Sequence, residues 1–318
     1  MAVASAMLWE TYSPIVQQTV LPFSSCLLIP LHRIHHTILI QPSEIEPSAF
    51  SSARLIFSTS GISSFCSGLL SAVGYSIVED FVSSRAYVAL TKLLPAADPE
   101  DAKKREEDTK SIFLKKGILV ILWRNISTVV MYPIENGLET YLISCAREAL
   151  GQGFEYTGPL NAMWKLTFKF GYISGLYEGI GIRMLSQTLQ LGFGMAALAA
   201  YGHPPSSLDS KRLLQNNNDD DDDDSKDERS FSVEAGVALA AAAITYPLEL
   251  LLNRQRASRV IEVNDDGAPT TINAVLNRDG VLGLFQGASF FIVRRVAFYV
   301  ILRSLRRSIL GLKKINRM

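Results

Sequence analysis

The strongest constraint on the fold is a pattern that occurs three times along the 318-residue chain. Three apolar stretches reach a proline and then turn polar: "IPLHRIHHTILIQ" at Pro30, "YPIENGLETY" at Pro133 and "YPLELLLNRQR" at Pro247. Each is followed, 38 to 46 residues later, by the last glycine of a glycine-framed turn, at Gly68, Gly179 and Gly287. Matched spacing in three copies indicates an internal repeat. We therefore expect three repeats of about 100 residues, each with two long helices joined by a connecting stretch.

Six mostly apolar stretches have the length of about 20 residues that a bilayer-spanning helix needs. They are 13–38, 66–94, 113–137, 176–201, 231–252 and 284–305. Charged residues interrupt several of them, and a charge within a membrane needs a cavity or a partner. Either some of these stretches are helices of a soluble core, or they form a membrane bundle around a water-filled cavity. The expected fold class is an all-α membrane protein. Its six transmembrane helices form three pseudo-repeated helical hairpins around a central cavity.

The repeat divides the chain into four parts. A degenerate first repeat covers 1–110, a second repeat 111–203, an acidic insert 204–230 and a third repeat 231–318. The insert contains the run NNNDDDDDDSKDE, which is unable to bury a core, and we expect it to be disordered.

Composition argues against several classes of function. Positive and negative charges balance at 31 each, so no bulk bias toward nucleic acid exists. Three cysteines without CxxC spacing predict no disulfide framework. His32, His35 and His36 form a cluster without an evident fourth ligand, so no metal site is predicted. Because no nucleophile–base pair or phosphate loop is recognisable, we expect neither an enzyme nor a cofactor.

The repeated pattern resembles that of the mitochondrial carrier family. In this family a helix ends in Pro-x-Asp/Glu-x-x-Lys/Arg-x-Arg/Gln, a surface helix follows, and a Gly-x-x-Gly-Leu-Tyr/Phe-x-Gly turn opens a second helix. The matching residues are Pro247, Glu249, Arg254, Gly280, Gly283, Leu284, Phe285 and Gly287 in the third repeat, Pro133, Glu135, Gly175, Leu176, Tyr177 and Gly179 in the second, and Pro30, Gly61 and Gly68 in the first. The resemblance covers nearly the whole chain apart from the insert and weakens toward the N-terminus.

The resemblance implies a gate at the three prolines. In the family, the acid after each proline pairs with a base on the neighbouring odd-numbered helix, and three such pairs close the matrix end of the cavity. By position, the gate residues here are Pro30, His32, His35, Pro133, Glu135, Pro247 and Glu249. Two base positions carry Leu138 and Leu252, so one pair is left, Glu249 with His35, and His32 and Glu135 are expected to have no charge partner. The family's second gate is not recognisable.

The resemblance also implies a substrate site on the even-numbered helices, seven or eight residues after the last turn glycine. That spacing selects Tyr75, Ser76, Ser186, Gln187, Arg294 and Arg295. The guanidinium groups would hold an anion, while hydroxyl and amide groups would select its shape. Glu79, Arg124 and Arg183 are the expected cavity charges. Alternatively, Arg294 and Arg295 pair with Glu79 or Asp80, and neighbours lying about 100° apart on a helix do not face the axis equally.

Two functions follow from the resemblance. The first is a mitochondrial, multi-pass solute carrier that alternates access to a small anionic or carboxylate-bearing metabolite. Its expected partners are that solute and the lipid bilayer, with cardiolipin as a candidate lipid, and the inner membrane is slightly favoured over the outer. The alternative is a carrier-fold protein of the outer membrane that does not transport and acts in membrane dynamics or protein insertion. The incomplete gates favour this alternative. An unrelated polytopic protein is a third reading.

Overall fold

The structure is a computed structural model that describes residues 27–40, 48–93, 109–151, 155–200, 223–260 and 271–315. Within these ranges every regular element is a helix, and no strand occurs. The α-helices are α1 (Ile29–Ile40), α2 (Ala49–Ser60), α3 (Leu69–Leu93), α4 (Thr109–Ala149), α5 (Pro159–Phe170), α6 (Tyr172–Leu176), α7 (Ile180–Ala200), α8 (Asp223–Val260), α9 (Ile272–Gly283) and α10 (Ala288–Ile315). A 3₁₀ helix, Ile62–Cys66, lies between α2 and α3.

Several helical stretches of the described chain have the length and apolar character of membrane spans. Three qualify singly: Ile62–Ala86, Gly117–Ala149 and Ala235–Val260. Ile272–Gly283 and Ala288–Ile301 qualify together as a fourth, broken span, bent by 71°. The protein is thus all-helical in its described part, with three to four candidate spans, as in a multi-pass membrane protein.

The six predicted spans are matched only in part. Most of the predicted span 13–38 lies outside the described residues, and its remainder belongs to α1. The predicted span 176–201 forms α7, which is not among the candidate spans, since Arg183, Gln187 and Gln190 lower its apolar content. Polar side chains on a long helix need either a cavity or a partner if that helix lies in a membrane.

The three prolines occupy two kinds of helical position. Pro133 lies inside α4 and Pro247 inside α8, and both helices continue past the proline. Each removes one backbone hydrogen bond from the helix interior, which permits a bend there. Pro30 is instead the second residue of α1. In a first helical turn the missing N–H has no helical partner to lose, so the proline is tolerated without disruption.

Each predicted glycine turn is bounded by two glycines with positive φ. The pairs are Gly61 and Gly68 (76° and 83°), Gly171 and Gly179 (85° and 81°), and Gly280 and Gly287 (67° and 77°). A short helical segment lies between the two glycines of each pair, and a long helix, α3, α7 or α10, starts directly after the second one. Positive φ is readily adopted by glycine alone, which explains why glycines frame these turns.

The connecting stretches "LNAMWKLTFKF" and "TINAVLNRDG" are predicted as amphipathic surface helices and form α5 and α9. On α5, Ala162 and Leu166 are buried, whereas Trp164 and Phe168 are exposed. Exposed aromatic side chains beside lysines are typical of helices that lie in a membrane interface. A third such helix, α2, precedes the first glycine turn.

The acidic insert differs from its prediction at one end. Helix α8 begins at Asp223, so residues 223–230 of the predicted disordered insert are helical. Acidic residues at a helix N-terminus are favoured by the helix dipole, which accounts for a helix start among aspartates. Residues 204–222 lie outside the described part.

The residues group into two compact units by their contacts. Unit one includes Glu79–Val130 and Gln187–Ile244, and unit two includes Gln18–Val78, Met131–Ser186 and Thr245–Met318. This grouping is distinct from the four predicted parts of the chain, which remain a prediction.

In unit two the second glycine of each turn lies against α1, α4 or α8, the helices that contain the three repeated prolines. A β-carbon at Gly68 would lie 2.8 Å from Cδ2 of Leu142, and one at Gly179 would lie 2.6 Å from Cδ1 of Leu252. One at Gly287 would lie 3.1 Å from the Tyr246 hydroxyl of α8 and 3.5 Å from side-chain atoms of Ile38 and Leu39 of α1. The first turn therefore packs against α4, the second against α8 and the third against α1.

Two tyrosines fasten turns of unit two to proline-containing helices. Tyr132, just before Pro133, donates its hydroxyl hydrogen to the carbonyl oxygen of Glu178 at 2.6 Å. Tyr246, just before Pro247, donates in the same way to the carbonyl oxygen of Gln286. Both acceptors immediately precede the second glycine of a turn. The residue before Pro30 is Ile29, which has no hydroxyl group to form the equivalent bond.

Candidate polar site

Unit two contains a partly buried group of charged side chains centred on Arg183. This arginine lies in the first turn of α7, and its Nη1 is 2.8 Å from Oε1 of Glu249 in α8. Its Nε is 3.1 Å from Oε1 of Glu135 in α4. The hydroxyl of Ser186, one turn further along α7, is 3.3 Å from the same oxygen of Glu249. Arg183 thus links carboxylates from two helices, with 26% of its side chain exposed.

A second arginine, Arg256 of α8, completes the surroundings of Glu135. Its Nη2 is 3.4 Å from Oε1 of Glu135, and its Nε donates to Oδ1 of Asn136 at 3.1 Å. Its guanidinium carbon also lies 5.6 Å from the ring centroid of Tyr132, a cation–π distance. The prediction that Glu135 has no charge partner is therefore wrong. The partners are missed because neither arginine occupies a base position of the gate motif.

A third part of unit two joins α1 to α4 through histidines. Nε2 of His36 is 2.9 Å and Nε2 of His32 is 3.5 Å from Oε2 of Glu139. The two imidazole rings are stacked, with centroids 4.5 Å apart. His32 thus lies near an acid, Glu139, that the gate motif does not contain, and the contact is an ion pair only while the imidazole is protonated.

The expected gate pair of Glu249 with His35 is not formed. Among the described residues the ion-pair partner of Glu249 is Arg183, as given above. His35 instead lies with Nε2 3.5 Å from the hydroxyl oxygen of Tyr246 and is buried among aromatic rings that include Phe291. The arginine on α7 is closer to the acid than the histidine is, and a permanently charged guanidinium is also the better partner for a carboxylate.

Arg294 and Arg295 share one aromatic neighbour. Their guanidinium carbons lie 5.4 Å and 4.9 Å from the ring centroid of Phe291. Arg294 lies in unit two, where the carboxylates of Glu139 and Glu249 act on it electrostatically, but neither forms an ion pair with it among the described residues. Nη1 of Arg294 and Nε of Arg295 are buried without a hydrogen-bond partner among the described residues.

The two leucines at gate base positions contribute apolar packing. Leu138 belongs to a buried cluster with Ile29, Ala72 and Leu142, and Tyr75 packs against this cluster. Leu252 is buried beside Gly179. Tyr75, a predicted substrate contact, therefore has an apolar environment on one side, and the neighbouring Ser76 is half-buried.

Unit one has its own, smaller set of polar contacts. Nη2 of Arg124 is 2.7 Å from Oε1 of Glu79, so two predicted cavity charges are brought together as a pair. The indole N–H of Trp123 donates to the carbonyl oxygen of Ser83 at 2.6 Å. Gln187, a predicted substrate contact, accepts a hydrogen bond of 2.7 Å from the hydroxyl of Thr128. The ion-pair partner of Glu79 among the described residues is therefore Arg124, and not Arg294 or Arg295.

Two residues that the sequence reasoning missed, His36 and Glu139, share one signal. His32 and His36 are four residues apart on α1, and Glu135 and Glu139 are four apart on α4. Residues at this spacing lie on one face of a helix, so a search for same-face polar pairs finds both.

A comparison with models of known protein families finds no match to the chain, and a comparison with curated proteins finds none either.

Proposed function

We propose that the chain is a solute carrier of the mitochondrial type, with six membrane-spanning helices that form three pseudo-repeated hairpins around a central cavity. The support for the threefold plan is the cyclic packing within unit two. The turn ending at Gly68 lies against α4, that at Gly179 against α8, and that at Gly287 against α1. Coincidentally similar stretches would have no reason to contact one another in this order, whereas three repeated hairpins around an axis require it.

The charged group around Arg183 is the observation that carries the transport proposal. Ionisable residues in apolar helices are costly in a membrane and typically mark a substrate path. Here Arg183, Glu135 and Glu249 come from three helices and meet within hydrogen-bond distances. Arg294 adds a further positive charge in the same unit. A small solute that bears a carboxylate or another anionic group would bind these guanidinium groups.

Glu249 has the role of an internal counter-ion in this proposal. It holds Arg183 while no substrate is bound, and a substrate carboxylate replaces it on the guanidinium group. The released glutamate then changes the stability of the pairs that join α7 to α8. Substrate that binds one arrangement of these helices more tightly than the other shifts the protein between two access states.

The test is uptake by the full-length protein reconstituted into liposomes, with a panel of organic anions, nucleotides and amino acids. We expect uptake of an anionic solute that Arg294→Ala abolishes. The control is Arg85→Ala, which removes an exposed arginine of α3 and should leave uptake unchanged. Glu249→Gln removes the internal competitor and should lower the KM for the same anion. Flat uptake across the whole panel would contradict transport.

A second candidate function is favoured by the leucines at the gate positions. Leu138 and Leu252 are buried in apolar packing, so apolar contacts replace two of the family's breakable charge pairs. Opening such contacts exposes apolar surface to water, which costs free energy. This fits a carrier-fold protein of the mitochondrial outer membrane that acts in membrane dynamics or protein insertion.

Location distinguishes the two candidates. Protease is added to intact mitochondria, and cleavage within residues 215–228 is followed. Protection while the outer membrane is unbroken supports the inner membrane and the carrier, which is the expected result. Cleavage under the same conditions supports the outer membrane and the second candidate.

A further inference from the structure

We propose that His32, His36 and Glu139 form a binding site for one divalent transition-metal ion of the zinc class. Their candidate ligand atoms all lie within 4.8 Å of one another. Two imidazole nitrogens and one carboxylate oxygen are a ligand set that zinc uses in proteins, with a water molecule as the fourth ligand. The inference concerns one cluster of unit two and does not depend on the transport proposal.

The distances within the cluster agree with a shared ion. Ligands about 2.0–2.1 Å from a tetrahedral zinc ion are separated from one another by about 3.3 Å. The measured separations from Oε2 of Glu139 are 2.9 Å to Nε2 of His36 and 3.5 Å to Nε2 of His32. Both separations are close to this spacing, and no two of the three candidate ligand atoms are more than 4.8 Å apart.

Two of the three candidate ligand atoms have no hydrogen-bond partner outside the cluster among the described residues. Nε2 of His36 and Oε2 of Glu139 are buried and have no aligned hydrogen bond among the described residues, although they lie close together. The side chain of His36 is 1% exposed. Buried polar atoms normally have hydrogen-bond partners. The poor alignment of the His36 nitrogen and the Glu139 oxygen with each other is explained if both point toward a shared metal ion.

The helix geometry positions the ligands in advance. His32 and His36 are separated by one turn of α1, so both imidazoles project from the same face, as in helical two-histidine zinc sites. Glu139 comes from α4, so an ion would connect the first and second repeats. A metal connection here would occupy the region in which a carrier of the resembled family has a charge pair.

Neighbouring charges both oppose and favour a cation. Arg294 acts electrostatically on His32 and on Glu139, and its positive charge disfavours a second cation nearby. Glu249 also acts on Arg294 and offsets part of that charge. Glu139 supplies the negative charge that a bound ion needs, whereas His35 is turned toward Tyr246 and is not among the three ligands.

The experiment uses the full-length protein in detergent, purified through a tag without histidine, stripped with a chelator and titrated with Co²⁺ and Zn²⁺. We expect about one ion per chain and the strong visible absorption of four-coordinate Co²⁺. Glu139→Gln, which keeps the size of the side chain, should weaken Co²⁺ binding about tenfold or more. The double variant His32→Ala/His36→Ala should abolish the absorption band.

The matched control is His203→Ala, which removes the histidine outside the cluster of His32, His35 and His36 and should bind as the unaltered protein does. Thermal unfolding guards against a variant that fails to fold. Chelated wild type and Glu139→Gln should unfold at similar temperatures, and added Zn²⁺ should raise only the wild-type value. Equal metal content in all variants, or Co²⁺ binding without the absorption band, would overturn the proposal.

Discussion

Arg183 of unit two and Arg124 of unit one are both arginines on long, largely apolar helices, yet their surroundings differ. Arg183 lies between two carboxylates, Glu135 and Glu249, that belong to different helices. Arg124 has one carboxylate, Glu79, whose side chain is 27% exposed. A hydroxyl group, that of Ser83, lies 3.4 Å from the Arg124 guanidinium.

The cost of losing each arginine depends on these surroundings. Without Arg124, Glu79 loses its guanidinium partner but can be solvated. Without Arg183, Glu249 loses its ion-pair partner, and Glu135 retains only Arg256 at 3.4 Å. Removal of one member of a buried ion pair is costly mainly because the other member remains behind without compensation. Unit two therefore depends on its arginine more strongly than unit one does.

The largest effect is expected for Arg183→Met. Because two carboxylates lose a partner, the free energy of unfolding should fall by about 3 kcal/mol. Reversible chemical unfolding in detergent, followed by tryptophan fluorescence, measures it. As a control, Arg85→Met changes an exposed arginine and should cost less than about 1 kcal/mol. Equal losses from the two variants would remove the special role of Arg183.

Glycines give a second comparison of the units. Gly179 of unit two has φ 81°, and an added β-carbon would lie 2.6 Å from Leu252 and 3.0 Å from the Tyr132 hydroxyl. Gly179→Ala should therefore cost about 2 kcal/mol of unfolding free energy. Gly117 of unit one has no positive φ, and its β-carbon would meet the flexible end of Met195. Gly117→Ala should be nearly neutral in the same assay, and a larger loss there than at Gly179 would contradict the comparison.

Among the three substitutions expected to destabilise the protein, Arg124→Met in the ion pair of unit one should have the smallest effect. Arg124→Met should cost about 1–2 kcal/mol, since Glu79 remains partly solvated. A double-mutant cycle with Arg124→Gln and Glu79→Gln should give a coupling free energy of about 1 kcal/mol. If Arg124→Met destabilises the protein more than Arg183→Met does, the ranking of the two units is reversed.

Much of the local structure could be predicted from the sequence. Apolar length and periodicity located α4, α8 and α10, and glycine spacing located the three turns, because these features depend on short-range geometry. The helices α5 and α9 followed from the amphipathic pattern of the connecting stretches. The number of spans could not be settled in this way, since α7 mixes Arg183 and Gln187 with apolar residues.

Several residues of the candidate site could be predicted from the sequence, but their pairings could not. Arg183, Glu135 and Glu249 were each singled out, yet their mutual contacts were not, because they depend on how α4, α7 and α8 pack. The gate motif places Leu138 and Leu252 at its base positions, so it predicts no charge partner for Glu135 and misses Arg256. Glu139 was missed because it lies outside the motif and its neighbours His32 and His36 are about 100 residues away in sequence.

The contact between His35 and Tyr246 joins positions 211 residues apart in the chain. During biosynthesis α1, which carries His35, leaves the ribosome long before Tyr246 is synthesised. The contact therefore forms only late in synthesis. A chain that stalls before Tyr246 and Phe291 have been made would leave the imidazole of His35 without these aromatic neighbours. Such a chain is a natural substrate for the chaperones and proteases that survey newly inserted proteins.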